Sequence, residues 1–165
     1  MFRKYAKQIV SVLDDLPQGV CLFDAQSKLL IANKRYVEMY GLSPDVVVPG
    51  CTLRDLVAHR KALGVISVDI DTYCSMVLAD IALGRTTSRS IDLSDGRTIH
   101  QVNRPLPEGG WIATHEDITE RKTAQEKLAQ ETNEDRRLFG TSLDLILVTN
   151  RFGRIERVSP SAFAI

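Results

Sequence analysis

The chain repeats its own beginning near its end. Near the start, the apolar run Val20-Cys21-Leu22-Phe23 meets the turn Asp24-Ala25-Gln26-Ser27. A second apolar run, Leu29-Leu30-Ile31-Ala32, then leads to Asn33, a residue suited to start a helix. The same succession returns over 143–160, where an apolar run, a turn through Asn150-Arg151-Phe152-Gly153 and a second run at 154–158 lead to Ser159-Pro160. With one gap in the turn, Lys28-Leu29 aligns with Arg154-Ile155 and Asn33 with Ser159, a spacing of about 126 residues. That period fits tandem domains of ordinary size rather than a solenoid unit. The sequence stops within an apolar helix start at 162–165, as a second domain cut short would.

Between the two copies the pattern is mixed. Phe2, Tyr5, Ile9, Val12, Leu13 and Leu16 follow helical spacing, with Arg3, Lys4, Lys7 and Gln8 opposite, so 1–15 reads as an amphipathic helix that Pro17 and Gly19 end. Asn33 caps a helix over 34–40 that Gly41 closes. Thr52 caps another over 53–63, and Asp71 or Thr72 starts a third over 73–83. Three strands follow, at 86–93, 97–104 and 111–116, separated by Ser94-Asp95-Gly96 and by a turn over 105–110. Residues 120–137 carry five acids and five bases with a thin apolar seam, which reads as a solvated helix rather than a strong coiled coil. A lone helix of that length is marginal in water, so a partner helix or flanking domains must support it.

Bulk composition excludes several classes. Lys+Arg and Asp+Glu both number 21 and no basic run stands out, so nucleic acid is not an expected partner. Cys21, Cys51 and Cys74 form no CxxC pair, which argues against a disulfide framework or a thiolate metal site. No apolar run reaches the ~20 residues that span a bilayer, so no membrane contact is expected within this chain and a cytoplasmic location is. Walker, GxSxG, HExxH and dinucleotide glycine patterns are absent, and the chain is expected not to be an enzyme.

Two strings carry a family resemblance. "GVCLFDAQSKLLIANKRYVEMYG" over 19–41 resembles the entry hairpin and first helix of PAS domains, and "GGWIATHEDITERKTAQEKL" over 109–128 resembles their last strand, Asp-Ile-Thr ending and exit helix. The resemblance implies an α+β fold: a five-stranded antiparallel sheet with helices packed on one face, flanked by N- and C-terminal helices. It divides the chain into an N-terminal helix (1–15), a PAS domain (16–119), a helical signalling linker (120–139) and the truncated start of a second PAS domain (140–165). Chains so built are similar to the input halves of bacterial sensor histidine kinases and diguanylate cyclases. Arg137-Leu138-Phe139 leading into 143–148 resembles the kinases most.

The resemblance also implies where function would sit. Asp117, Ile118 and Thr119 join sheet to exit helix, and in similar proteins the aspartate pairs with an arginine four positions on, here Arg121. Thr119 can cap the helix and Glu120 suits its dipole. A ligand pocket would lie between sheet and helices, with Cys21, Phe23, Ile31, Val37, Tyr40, Leu53, Leu56, Val57, Met76 and Ala113 as apolar lining and Gln101, Asn103 and His115 as polar contacts. Alternation puts Trp111, Ala113 and His115 on one strand face. His115 occupies the place where flavin-binding relatives carry a cofactor-facing glutamine; the bland reading is a histidine paired within the core. No cofactor is expected. The helix over 73–83 lacks the histidine a haem-binding relative would carry, and Gly50-Cys51-Thr52-Leu53-Arg54-Asp55 lacks the asparagine and glutamine of the flavin-binding run. His100 and His115 could share a metal only if both faced one way. Two functions stay open: a sensor of a small molecule, or a ligand-free scaffold for homodimerisation and relay. Phe2, Tyr5, Ile9, Val12 and Leu13 would form the dimer helix, and an output domain would follow in the same parent chain.

Overall fold

The computed structural model describes residues 10–141 and 144–163. They fall into two compact units divided between Thr119 and Glu120. The first is built on a five-stranded antiparallel sheet in the order β2-β1-β5-β4-β3, with β1 Gly19–Phe23, β2 Leu29–Ala32, β3 Thr87–Asp92, β4 Thr98–Pro105 and β5 Trp111–Asp117. Helices α1 Lys34–Tyr40, α2 Leu53–Ala62 and α3 Ile70–Ala82 lie between β2 and β3 in the chain and cover one sheet face.

Local chemistry explains each boundary. Asn33 caps α1 by accepting the Tyr36 N–H, and Gly41 closes it in the left-handed conformation. Thr52 and Asp55 form a reciprocal capping box at the start of α2. The third helix begins three residues earlier than the sequence pattern suggests: Asp69, rather than Asp71 or Thr72, accepts the Thr72 N–H. Asp71 is instead drawn to Arg54 across the helix pair.

Strand register sets which side chains face the helices. Gly19↔His115, Cys21↔Ala113 and Phe23↔Trp111 pair across β1 and β5, and Gln101↔His115 and Asn103↔Ala113 across β4 and β5. Phe23 and Trp111 stack at 4.1 Å. Two glycines permit this closeness. A Cβ on Gly19 would press on the Tyr36 backbone, and one on Gly110, whose φ is 76°, would collide with the Phe23 carbonyl oxygen. The inner face meets Tyr36, Met39 and Tyr40 of α1, Leu53, Leu56, Val57 and Arg60 of α2, and Tyr73, Cys74 and Val77 of α3.

Two expected lining residues lie elsewhere. Ile31 stands opposite Leu22, while Phe23 stands opposite Leu29, so β2 carries a bulge there. The extra residue reverses the alternation, and Ile31 shares the outer face with Leu22 and Ile112. Met76 also turns outward, at 46% exposed.

The second unit contains most of α4, Thr119–Thr141, followed by the antiparallel pair β6 Leu147–Thr149 and β7 Ile155–Val158 and a short 3-10 turn, Pro160–Phe163. Its hairpin reproduces the first one bond by bond. Asp24 Oδ1 accepts the N–H groups of Gln26 and Lys28 at 2.9 Å, and Asn150 Oδ1 those of Phe152 and Arg154 at 3.0 and 3.1 Å. Val20 N–H donates to the Asn33 side chain at 2.8 Å, and Ile146 N–H to the Ser159 hydroxyl at 2.9 Å. The bulge recurs too, with Thr149 opposite Ile155 and Val148 opposite Arg157. Every pair obeys one constant spacing, so the repeat needs no gap. The gap that residue type suggests in the turn disappears once hydrogen-bonding role is matched.

Of the N-terminal helix, residues 10–14 are helical; Phe2, Tyr5 and Ile9 lie outside the described residues. Val12 is 65% exposed and Leu13 half-buried. No helix among the described residues is long and apolar enough to cross a membrane.

Candidate functional site

Two features of the first unit bear on function: its polar core and the junction at its end. The core has an apolar frame. Cys21, Phe23, Tyr40, Leu56 and Ala113 are each at most 2% exposed, and Gln101, Asn103 and His115 are buried among them. The structure therefore gathers the proposed lining residues into one core, with Leu53 and Val57 buried in it and Val37 half-buried against it, and leaves out only Ile31 and Met76.

The buried polar groups are paired in two sets. Tyr73 donates its hydroxyl hydrogen to Gln101 Oε1 at 2.6 Å, and Gln101 Nε2 donates to Asn103 Oδ1 at 3.1 Å. This ties α3 to β4. In the second set the Tyr40 hydroxyl meets His115 Nδ1 at 2.8 Å, tying α1 to β5. The His115 ring also packs on Tyr36 and Tyr40, with ring centres 5.1 and 5.5 Å away. Burial, and then the nearby Arg60 charge, holds the His115 imidazole well below the usual histidine range, so it is neutral near pH 7. Burial likewise pushes the Tyr40 hydroxyl up to about 12 and raises the Cys21 thiol, which makes Cys21 an inert core residue.

Arg60 is the member sequence reasoning missed. It is 2% exposed, and its guanidinium carbon lies 4.7 Å from the Tyr40 ring centre and 5.6 Å from that of Tyr36. A signal was available: Leu53, Leu56, Val57 and Arg60 follow the three-to-four spacing of one buried helix face. Charge normally assigns such a residue to solvent, and that habit hides it. Asn33 was legible as a cap, but its full role was not. Its side chain accepts from Val20 and Tyr36 N–H and donates to the carbonyls of Leu13 and Gln18, which uses all four of its hydrogen-bonding sites.

The histidines do not converge. His100 stands opposite Glu116 while His115 stands opposite Gln101, so the two rings project from opposite sheet faces. His100 pairs with the Ser88 hydroxyl, and His59 accepts the Ser43 N–H.

At the junction, Asp117 Oδ1 accepts both the N–H and the hydroxyl of Thr119, at 3.0 and 2.5 Å. The Thr119 hydroxyl oxygen accepts the Thr98 N–H at 2.9 Å, and Ile118 N–H donates to the Thr98 carbonyl at 2.9 Å. Thr98 donates its own hydroxyl hydrogen to Asp92 at 2.7 Å. The start of the exit helix is thus clamped to the first residue of β4, the strand that also carries Gln101 and Asn103. Asp117 closes on Thr119 within the first unit; Arg121 is exposed in the second.

The sheet order and the helices on one of its faces define an α+β domain, and comparison gives its family: residues 13–126 match the PAS fold, and the chain belongs to that family. Among curated proteins it is similar to the sensor protein DivL of Caulobacter vibrioides, 27% identical over 122 residues, covering 72% of this chain and 16% of that protein. It is also 30% identical over 123 residues to the non-motile and phage-resistance protein of the same organism, covering 74% of this chain and 13% of that protein. The chain thus spans a small fraction of either relative. Two solved structures share its fold: the PAS domain of Bordetella pertussis BvgS, with TM-score 0.53, 20% identity and coverage of 79% of this chain and 98% of that one, and the phage VqmA–DPO complex, with TM-score 0.56, 17% identity and coverage of 79% and 60%.

Proposed function

We propose that this chain is a sensing and relay module of a bacterial signal-transduction protein, most similar in layout to the input half of a sensor histidine kinase. A small molecule or partner acting on the polar core changes how β4 and β5 sit against the helices. The Asp117-Ile118-Thr119 junction passes that change to α4. The observation that carries the reading is the clamp between Thr98 and Thr119, because β4 holds both the Gln101–Asn103 pair and the helix start. An exposed ion pair alone would contribute roughly 0–1 kcal/mol, too little to hold an exit angle. Several hydrogen bonds sharing one residue can.

The second unit is, in this reading, the opening of a second PAS domain, with α4 as the connecting rod; the matched hydrogen bonds of the two hairpins support it. Exposure of Val12 supports pairing of the N-terminal helix in a homodimer. A cytoplasmic location and an output domain elsewhere in the parent chain belong to the same proposal.

Amide hydrogen exchange tests the junction. Asp117→Ala is expected to leave protection of β1, β4 and β5 unchanged while the first turn of α4 exchanges faster. Loss of protection across the sheet in that variant would make the junction merely structural and overturn the relay.

A further inference from the structure

Arg60 is a buried cation without a counter-charge. It takes part in none of the ion pairs among the described residues, and its Nε has no hydrogen-bond partner. A guanidinium does not give up its proton in a protein, so the charge persists in the core. The tyrosine rings beside it soften that charge but bear no formal negative charge. Buried charges in folded proteins are ordinarily paired, because desolvating an isolated one is costly.

The surroundings narrow what could complete the site. Arg60 sits in the last turn of α2 beyond Leu56 and Val57, with Tyr36 and Tyr40 of α1 against it and His115 of β5 against those rings. His115 is neutral, so one positive charge is present, which a monoanion matches and a dianion would overshoot. A planar fork of N–H donors matches a carboxylate in particular.

We propose that the core between α1, α2 and β5 is a binding site for a small monocarboxylate, whose carboxylate pairs with Arg60 and whose apolar body packs on Tyr36 and Tyr40. The site names the chemistry of the signal and so rests on the sensor reading above.

The test uses the full chain labelled with 15N-arginine. The Arg60 Nε–H resonance is assigned by its loss in Arg60→Met and followed as sodium acetate, pyruvate or benzoate is added, with benzamide and sodium chloride as controls. At least one carboxylate is expected to move that resonance saturably, while benzamide and chloride do not. Arg60→Met is expected to fold without ligand and to bind that carboxylate at least tenfold more weakly. If the variant does not fold, the assignment comes from Arg60→Lys and the wild-type titration decides. No response to any carboxylate, or an equal response to chloride, overturns the proposal. Failure of the sensor reading looks different: a carboxylate would bind and shift Arg60, yet the amides in the first turn of α4 would not respond.

Discussion

Replacing Asn33 should cost far more than the loss of a helix cap. Its side chain joins the N-terminal segment, β1 and α1 through four hydrogen bonds of 2.7–3.0 Å, and it is wholly buried. Asn33→Ala removes the cap of α1, worth about 1 kcal/mol. It also strands the buried Val20 N–H, which adds about 1–3 kcal/mol. The half-buried Leu13 and Gln18 carbonyls can turn to water and add little. The sum is about 3 kcal/mol. Asn33→Asp keeps both acceptor bonds but points an oxygen at two carbonyls, so it should cost at least ~1 kcal/mol despite being a good cap. Asn33→Ser should be the mildest change, because Ser159 already fills the matching place in the second hairpin, accepting from Ile146 N–H and donating to the Asp144 carbonyl. Urea unfolding followed by the fluorescence of Trp111, the single tryptophan, reports on the first unit alone. A loss below about 1 kcal/mol for Asn33→Ala, or a neutral Asn33→Asp, would refute the four-bond account.

Three further outcomes follow from the same structure. His115 is held neutral when folded but has an ordinary pKa when unfolded. The unfolded chain therefore takes up a proton first as pH falls below about 6.5, and stability drops by up to about 1.4 kcal/mol per pH unit until the folded pKa is reached. Above that pH the contribution is fully present. Tyr36, Tyr40 and Cys21 around it titrate only at alkaline pH and Arg60 keeps its charge, so the slope should vanish in His115→Gln; an unchanged slope in urea titrations from pH 7 to 5 would assign it to other groups. Gly110→Ala should cost more than Gly96→Ala by about 1–3 kcal/mol in thermal melts, since both have positive φ but only Gly110 faces the Phe23 carbonyl. Tyr73→Phe should cost about 1–2 kcal/mol, because it leaves Gln101 Oε1 buried without its donor; a neutral result in urea would mean that bond does not hold α3 to β4.

The sequence was most legible where structure is local. Alternation over 111–116 places Trp111, Ala113 and His115 inward correctly, since period two suffices on an unbroken strand. The same rule failed at Ile31, where the bulge between Leu29 and Ile31 adds a residue that nothing in the run Leu29-Leu30-Ile31-Ala32 announces. Caps at Asn33 and Thr52 were readable because an N-cap satisfies donors within three residues. The long-range bonds of Asn33 to Leu13 and Gln18 were not, since they depend on where β1 folds back. Arg60 fell between two rules, its spacing pointing inward and its charge outward, and only packing against Tyr36 and Tyr40 decided it. The hairpin repeat was visible in residue pattern, yet its gapless register emerged from hydrogen-bond roles, Asn for Asp and Ser for Asn.

The relay is tested most directly by a double-mutant cycle between core and junction. Tyr73→Phe loosens β4 from α3, and Thr119→Val removes the acceptor for the Thr98 N–H at the start of the same strand. Tyr73 bonds to Gln101 and Thr119 to Thr98, so independent effects at the two sites would sum to within about 0.3–0.5 kcal/mol. A coupled strand predicts a clear departure from additivity in urea unfolding, about 0.5 kcal/mol or more, together with altered exchange in the first turn of α4 in Tyr73→Phe. Strict additivity with an unaltered α4 would contradict the claim that the core speaks to the helix.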